Sequence, residues 1–270
     1  MRNRKKPMRS LMLISAIFIL VGIVITTIGI SQGGMIYAKQ YRLGPVSTTG
    51  WSDGKNFRDS KTYTTKSNVK SINIEADAGE VYIKEADKFS IEVKNYDVKA
   101  IEFKDNDGDI SLSTGNQEIV IFPFTFWDDD SYERKITIYV PKSCKSLEVD
   151  ADLGNVDMND ISIDNLSLSL NLGSLEAKNI KVKTGKLDLD LGDAEFSGDF
   201  KESLVITNNL GSIDITLAGS IDDYGYSLDT DLGEISIDGN SYHSHKDNNG
   251  GKRLLKADAD LGEINVFFNK

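Results

Sequence analysis

The sequence predicts an all-β fold: a single-stranded, β-helix-like solenoid with coils of about 19 residues, preceded by one transmembrane helix. Three observations carry that expectation. A phrase of acidic or amide residue, Leu, Gly, any residue, apolar residue recurs, first as Asp152-Leu153-Gly154-Asn155-Val156. It returns from Asn171, Asp190, Asn209, Asp231 and Asp260, the first four starts being 19 residues apart and the next spacings 22 and 29. From residue 69 onward, short apolar-polar alternations replace any helical stripe. Before all of this, Leu11 to Ile30 runs without a charge.

Residues 1–10 form a basic tail, since Arg2, Arg4, Lys5, Lys6 and Arg9 are the only charges before residue 39. The uncharged run that follows would make a helix about 30 Å long, the thickness of a bilayer's hydrocarbon core. It exceeds the roughly 7–15 apolar residues of a secretory signal. Ile36 is also bulky where cleavage after Ala38 would want a small residue. Residues 11–32 are therefore expected to be an uncleaved signal-anchor, with the basic end in the cytoplasm and the rest of the chain extracytoplasmic. Residues 33–68, with Gly44, Pro45, Gly50 and Gly54 among Ser, Thr and Lys, read as a linker. Residues 69–270 read as the solenoid domain.

The formal charge is −11, from 31 basic and 42 acidic residues. Setting the five tail charges aside leaves 26 basic against 42 acidic residues, a net of −16. A domain this acidic excludes nucleic acid and anionic lipid as partners, because both are held through clustered Lys and Arg. The single Cys144 excludes an intrachain disulfide. It follows a strand-like run, and a small buried hydrophobe is the reading that fits.

Ile72 and Ile74, Val81 and Ile83, then Phe89, Ile91 and Val93 alternate as strands between turn residues. Ile136, Ile138 and Val140 form another strand, stopped by Pro141. A weaker copy of the phrase, Asp77-Ala78-Gly79-Glu80-Val81, lies among the first strands. Counting the Asp or Asn of the phrase as position zero, apolar residues recur at −3, +1, +4 and +6. The alternation that runs through Leu at +1 resumes at +4, so Gly at +2 breaks the phase, as a bend between two strands does. Stacking should turn each inward position into an apolar ladder with a rise of about 4.8 Å. Outward, position +5 reads Asp157, Glu176, Glu195, Asp214. Like charges at that spacing repel by roughly 1 kcal/mol in water. Burial of one Leu or Ile is worth about 1.5–3 kcal/mol, so the inward ladder outweighs the acidic face.

The segment Ile136-Thr137-Ile138-Tyr139-Val140-Pro141, followed by 147–156, resembles the bacterial putative-adhesin family of unknown function, whose envelope members include LiaG-like membrane-anchored proteins. The closing stretch 254–268 is similar too. The resemblance covers about residues 65–270. It implies a right-handed β-helix-like solenoid exposed at the cell surface, and it brings no catalytic motif.

Two sets of residues qualify as candidate sites. Asp152, Asp190, Asp231 and Asp260 recur at position zero and could converge on Ca²⁺, which wants several oxygen ligands. A solvated acidic face is the alternative, and the glycine-rich calcium repeat is absent. Phe124, Phe126 and Trp127, followed by Asp128, Asp129, Asp130 and Tyr132, form either a strand with a polar hairpin tip or an aromatic ledge for a partner. His243 and His245, in the polar insertion 239–253, are too few to hold a metal. Carboxylates are everywhere, so they do not argue for catalysis, and short coils leave little chain for cleft walls. The expectation is a non-enzymatic, membrane-anchored module of the cell envelope, without a cofactor, accessory to envelope-stress sensing. Its partners would be the membrane through residues 11–32, and envelope proteins or wall polymers. A surface adhesin or wall-polymer binder is the alternative.

Overall fold

The computed structural model describes residues 59–115 and 133–269. The expected tail, membrane span and aromatic stretch lie outside them. Among the described residues no helix is long and apolar enough to cross a membrane. All of them fall in a compact unit comprising Asn56–Gln117 and Asp128–Lys270.

That unit is all-β and mostly parallel. Its strands are β1 (Asp59–Tyr63), β2 (Ser71–Ala76), β3 (Glu80–Ala86), β4 (Ser90–Tyr96), β5 (Glu102–Asn106), β6 (Asp109–Ser113) and β7 (Lys135–Pro141). They continue with β8 (Ser146–Leu153), β9 (Val156–Asn159), β10 (Ser162–Leu172), β11 (Leu175–Leu191), β12 (Ala194–Leu210) and β13 (Ile213–Ala218). After a 3₁₀ turn come β14 (Tyr224–Leu232), β15 (Ile235–Ile237), β16 (Asn240–Tyr242), β17 (His245–Asn248), β18 (Arg253–Leu261) and β19 (Ile264–Asn269). In the middle, coils follow one another with a 19-residue register: Leu168 pairs with Leu187, and Leu175 with Ala194.

At the ends the stacking order departs from the order of the repeats in the sequence. β18 lies between β12 and β14, and β19 between β13 and β15, so the coil of Asp260 sits between those of Asn209 and Asp231. The same device closes the other end. β2 lies between β6 and β8, and β3 between β7 and β9, so the weak upstream phrase at Asp77 stacks directly on that at Asp152. Antiparallel strands then cover the outermost coils. β5 pairs with β6, and β4 with β7 and β1, at one end; β17 pairs with β14, and β16 with β15, at the other. Short antiparallel caps protect parallel edges that would otherwise invite further strands. The polar insertion 239–253 thus supplies a cap, and β1 recruits part of the expected linker into the sheet.

The core is the set of inward columns. Positions −3, +4 and +6 are buried in every coil, from Val149, Val156 and Met158 to Ala257, Ile264 and Val266. Leu at +1 does not join them. Leu172 is 49% exposed, Leu191 42%, Leu210 47%, Leu261 43% and Leu232 69%. The physical reason lies in the corner, where residues 0 to +3 sit on the outer side of the bend. Its interior is filled by backbone. The Gly192 N–H donates to Leu210 O at 3.0 Å and the Gly173 N–H to Leu191 O at 2.9 Å.

Arg253 fastens the interleaved final coil from the far side. It donates to Asp199 at 2.5 Å, lies 3.6 Å from Asp223 and stacks over the Tyr224 ring. Tyr224 donates to Ala218 O at 2.5 Å and packs against Phe200 and Phe268. Burial pushes the Tyr224 hydroxyl up to about 12 and the Cys144 thiol up to about 11.

Two stability predictions follow from this packing. A Cβ on Gly192 would lie 1.8 Å from Gly173 O, at a φ of +140°. Gly192→Ala should therefore cost about 3 kcal/mol or more in chemical denaturation, or abolish folding. Cys144 and Tyr224 ionise more easily unfolded, near 9 and 10, than folded. Their contribution is intact below about pH 9 and lost as pH rises through the folded values, so the melting temperature should fall progressively between pH 9 and 12. Cys144→Ala should flatten the onset of that fall.

Candidate interaction surface

The glycine corner brings one side chain of each coil into line. Leu153, Leu172, Leu191, Leu210, Leu261 and Leu232 are consecutive partners in the parallel register. Neighbours repeat about every 4.8 Å, most of them roughly half-buried. Their outer faces stay open to solvent, and together they form a ridge on the order of several hundred Å². Ala78 takes the equivalent place in the coil above Leu153, where the ridge ends.

Acidic and amide columns flank the ridge. At position zero, Asn171 Nδ2 donates to Asp152 at 2.6 Å and Asn209 Nδ2 to Asp190 at 2.9 Å. On these sides Asp152 and Asp190 therefore face an amide donor instead of a carboxylate, whereas at +5 Asp157, Glu176, Glu195 and Asp214 stand on successive coils. At +3, Asn155 Oδ1 accepts from the Ser174 N–H at 2.9 Å and Asp193 Oδ1 from the Ser212 N–H at 2.8 Å. At +5, Asn265 donates to Asp214 at 2.9 Å, a bond possible only because the last coil is interleaved. From position −3 to +6 none of the six coils contains a Lys, Arg or His. Lys178 and Lys186, just beyond that window, reach back to Glu176 and Asp188. The opposite corner is mixed in charge, with Lys183 paired to Glu202 at 3.2 Å and Lys145 to Asp164 at 3.7 Å.

The four position-zero aspartates divide into two groups. Asp152 and Asp190 are two coils apart, roughly 10 Å, and each accepts a hydrogen bond from an asparagine. Asp260 and Asp231 stand on adjacent coils, with Glu263 and Glu234 across the leucine ridge from them. Among the described residues no group of three His, Cys, Asp or Glu is placed to hold a metal ion. Phe124, Phe126, Trp127, Asp128, Asp129, Asp130 and Tyr132 lie outside the described residues. His245 Nδ1 is 2.5 Å from Asp229 Oδ1 in the cap, and His243 is exposed. Cys144 is buried, with Sγ 3.2 Å from Ser146 O. The leucine ridge was not anticipated. Its signal was present, since Leu fills +1 in all six copies while +4 and +6 vary in size.

A profile of the family described as Toastrack DUF4097 matches residues 69–268. No curated protein matches the chain. A solved structure of a putative cell adhesion protein from Clostridium sporogenes is 14% identical, with a TM-score of 0.47, covering 78% of this chain and 100% of that one. A putative adhesin from Bacteroides fragilis is 15% identical, with a TM-score of 0.34 and coverages of 82% and 100%. One from Parabacteroides merdae is 12% identical, with a TM-score of 0.31 and coverages of 81% and 98%.

The amide donors are testable. Asn171→Asp with Asn209→Asp removes both hydrogen bonds and lines up carboxylates along position zero. The double variant should lose roughly 1–2 kcal/mol at low ionic strength. Added salt should restore part of that loss, as read by thermal melts with and without sodium chloride.

Proposed function

This chain belongs to the Toastrack DUF4097 family, and from that premise we propose that it is a non-enzymatic, membrane-anchored interaction module of the cell envelope. One observation carries the reading: an exposed apolar ridge runs the length of the repeats, bounded on one side by Asp and Asn and on the other by carboxylates, Asn155 and two serines. The buried halves of these leucines serve the fold, and their exposed halves leave a continuous apolar row in water of the kind a docking face presents. The proposal assigns residues 11–32 to a single span, the basic tail to the cytoplasm and the solenoid, wound right-handed, to the outside. Treated as a random coil, the sequence between the proposed span and β1 would give an r.m.s. reach of roughly 30 Å. That reach suits partners at the membrane, and an accessory role in envelope-stress sensing fits it.

A second reading, surface adhesion or wall-polymer binding, draws on the stretch from Phe124 to Tyr132, where aromatic rings beside carboxylates suit stacking on sugars. In-cell photo-crosslinking separates the two. A photoreactive residue at Leu191 should give a discrete adduct with a membrane protein. Polymer adducts from Trp127, with none from Leu191, would favour the second reading. Protease added to intact protoplasts should degrade the solenoid. A protected solenoid would overturn the assigned orientation.

A further inference from the structure

We propose that the leucine ridge is the docking face for a basic amphipathic helix of a partner protein, laid along the solenoid axis. The inference rests on the interaction-module reading above and names the partner's chemistry. Geometry comes first. The ridge repeats about every 4.8 Å against the 5.4 Å pitch of an α-helix, so apolar side chains of about three successive turns can seat between leucines before the mismatch of roughly 0.6 Å per repeat carries them onto the crests. Six leucines span five intervals, about 24 Å, which a helix of about 16 residues covers.

Charge then selects the occupant. A helix seated on the ridge places its flanking positions over Asp152, Asp190, Asp260 and Asp231 on one side and over Asp193, Glu263 and Glu234 on the other. Lys or Arg beside the apolar stripe would meet these carboxylates, and no cation within the corner competes with them. A second copy would set acidic column against acidic column, and an anionic bilayer would be repelled in the same way. A neutral glycan would leave the leucines without an apolar partner. An added strand is also disfavoured, because the outermost coils are already covered by antiparallel strands.

The test uses the full chain in nanodiscs of neutral lipid, with empty nanodiscs as baseline. The probe is a labelled Leu/Lys peptide of about 16 residues that forms an amphipathic helix. One control peptide carries Glu for Lys; another keeps the composition but scatters the leucines. The wild-type chain should bind the helix above baseline, more weakly as salt rises, and neither control. Leu172→Ser with Leu191→Ser and Leu210→Ser should reduce binding about tenfold or more. It should remain folded with a lowered melting temperature, because these side chains are half-buried at the corner and the inward columns are untouched; binding is compared well below that melt. Asp152→Asn with Asp190→Asn and Asp260→Asn should weaken binding and flatten the salt dependence. Equal binding by the leucine variant, or by the scattered peptide, would reduce the effect to polyelectrolyte attraction and overturn the proposal. A dimer in light scattering that the leucine variant dissolves would overturn it in favour of self-association. If the peptide fails while Leu191 still captures a membrane protein in cells, only the partner's assigned chemistry falls. If both fail, the interaction-module reading falls with it.

Discussion

The structure depends on backbone meeting backbone at the glycine corner. Each coil donates its Gly N–H to the Leu carbonyl of its neighbour, and successive glycines approach closely enough that a Cβ would strike the next carbonyl. That contact fixes the rise, and the rise fixes everything stacked upon it. Inward residues fall into columns because the corners do. Outward residues are held equally in line, whatever their charge.

This geometry creates an electrostatic problem and restricts its solutions. A carboxylate at one outward position of a repeat becomes a row of carboxylates in the solenoid. Alternating Asp with Asn turns repulsion into a hydrogen bond at Asp152 and at Asp190. Thr207 serves Asp188 in the same manner, at 2.6 Å, one column away. Aspartates also meet near the ends of the stack, at Asp260 and Asp231 and at Asp77 and Asp152, and the +5 carboxylates from Asp157 to Asp214 line up on outward positions where solvent screens them. The repulsion is thus relieved at Asp152, Asp188 and Asp190 and left to solvent at +5, and the leucine ridge crosses the acidic face without a cation from −3 to +6.

The candidate site was partly legible. The recurrence of Leu at +1, the missing Lys and Arg around it and the alternation of Asp with Asn could all be read from the residues. The direction of the leucines could not. Alternation counted from −3 makes +1 inward, and that count fails because the bend begins at position zero, one residue ahead of the leucine. Of the carboxylates grouped by their common position in the phrase, Asp152 and Asp190 are held apart on alternate coils, roughly 10 Å, whereas Asp260 and Asp231 fall on adjacent coils.

By itself the sequence determined the repeat, its register of 19 residues, the inward columns and the acidic outer face. These follow from patterns local to each coil, and a coil pairs with any copy of itself. For that same reason the order of coils was beyond it. Parallel pairing rewards matched columns and is indifferent to which copy supplies them, so Leu210 takes Leu261 as its neighbour and Asp77 stacks on Asp152. Only the tertiary structure decided that choice. Each outermost coil must end in an antiparallel cap, and threading the chain into that cap and back leaves one coil slotted inside the coil that precedes it at the C-terminal end, and outside β2 and β3 at the other.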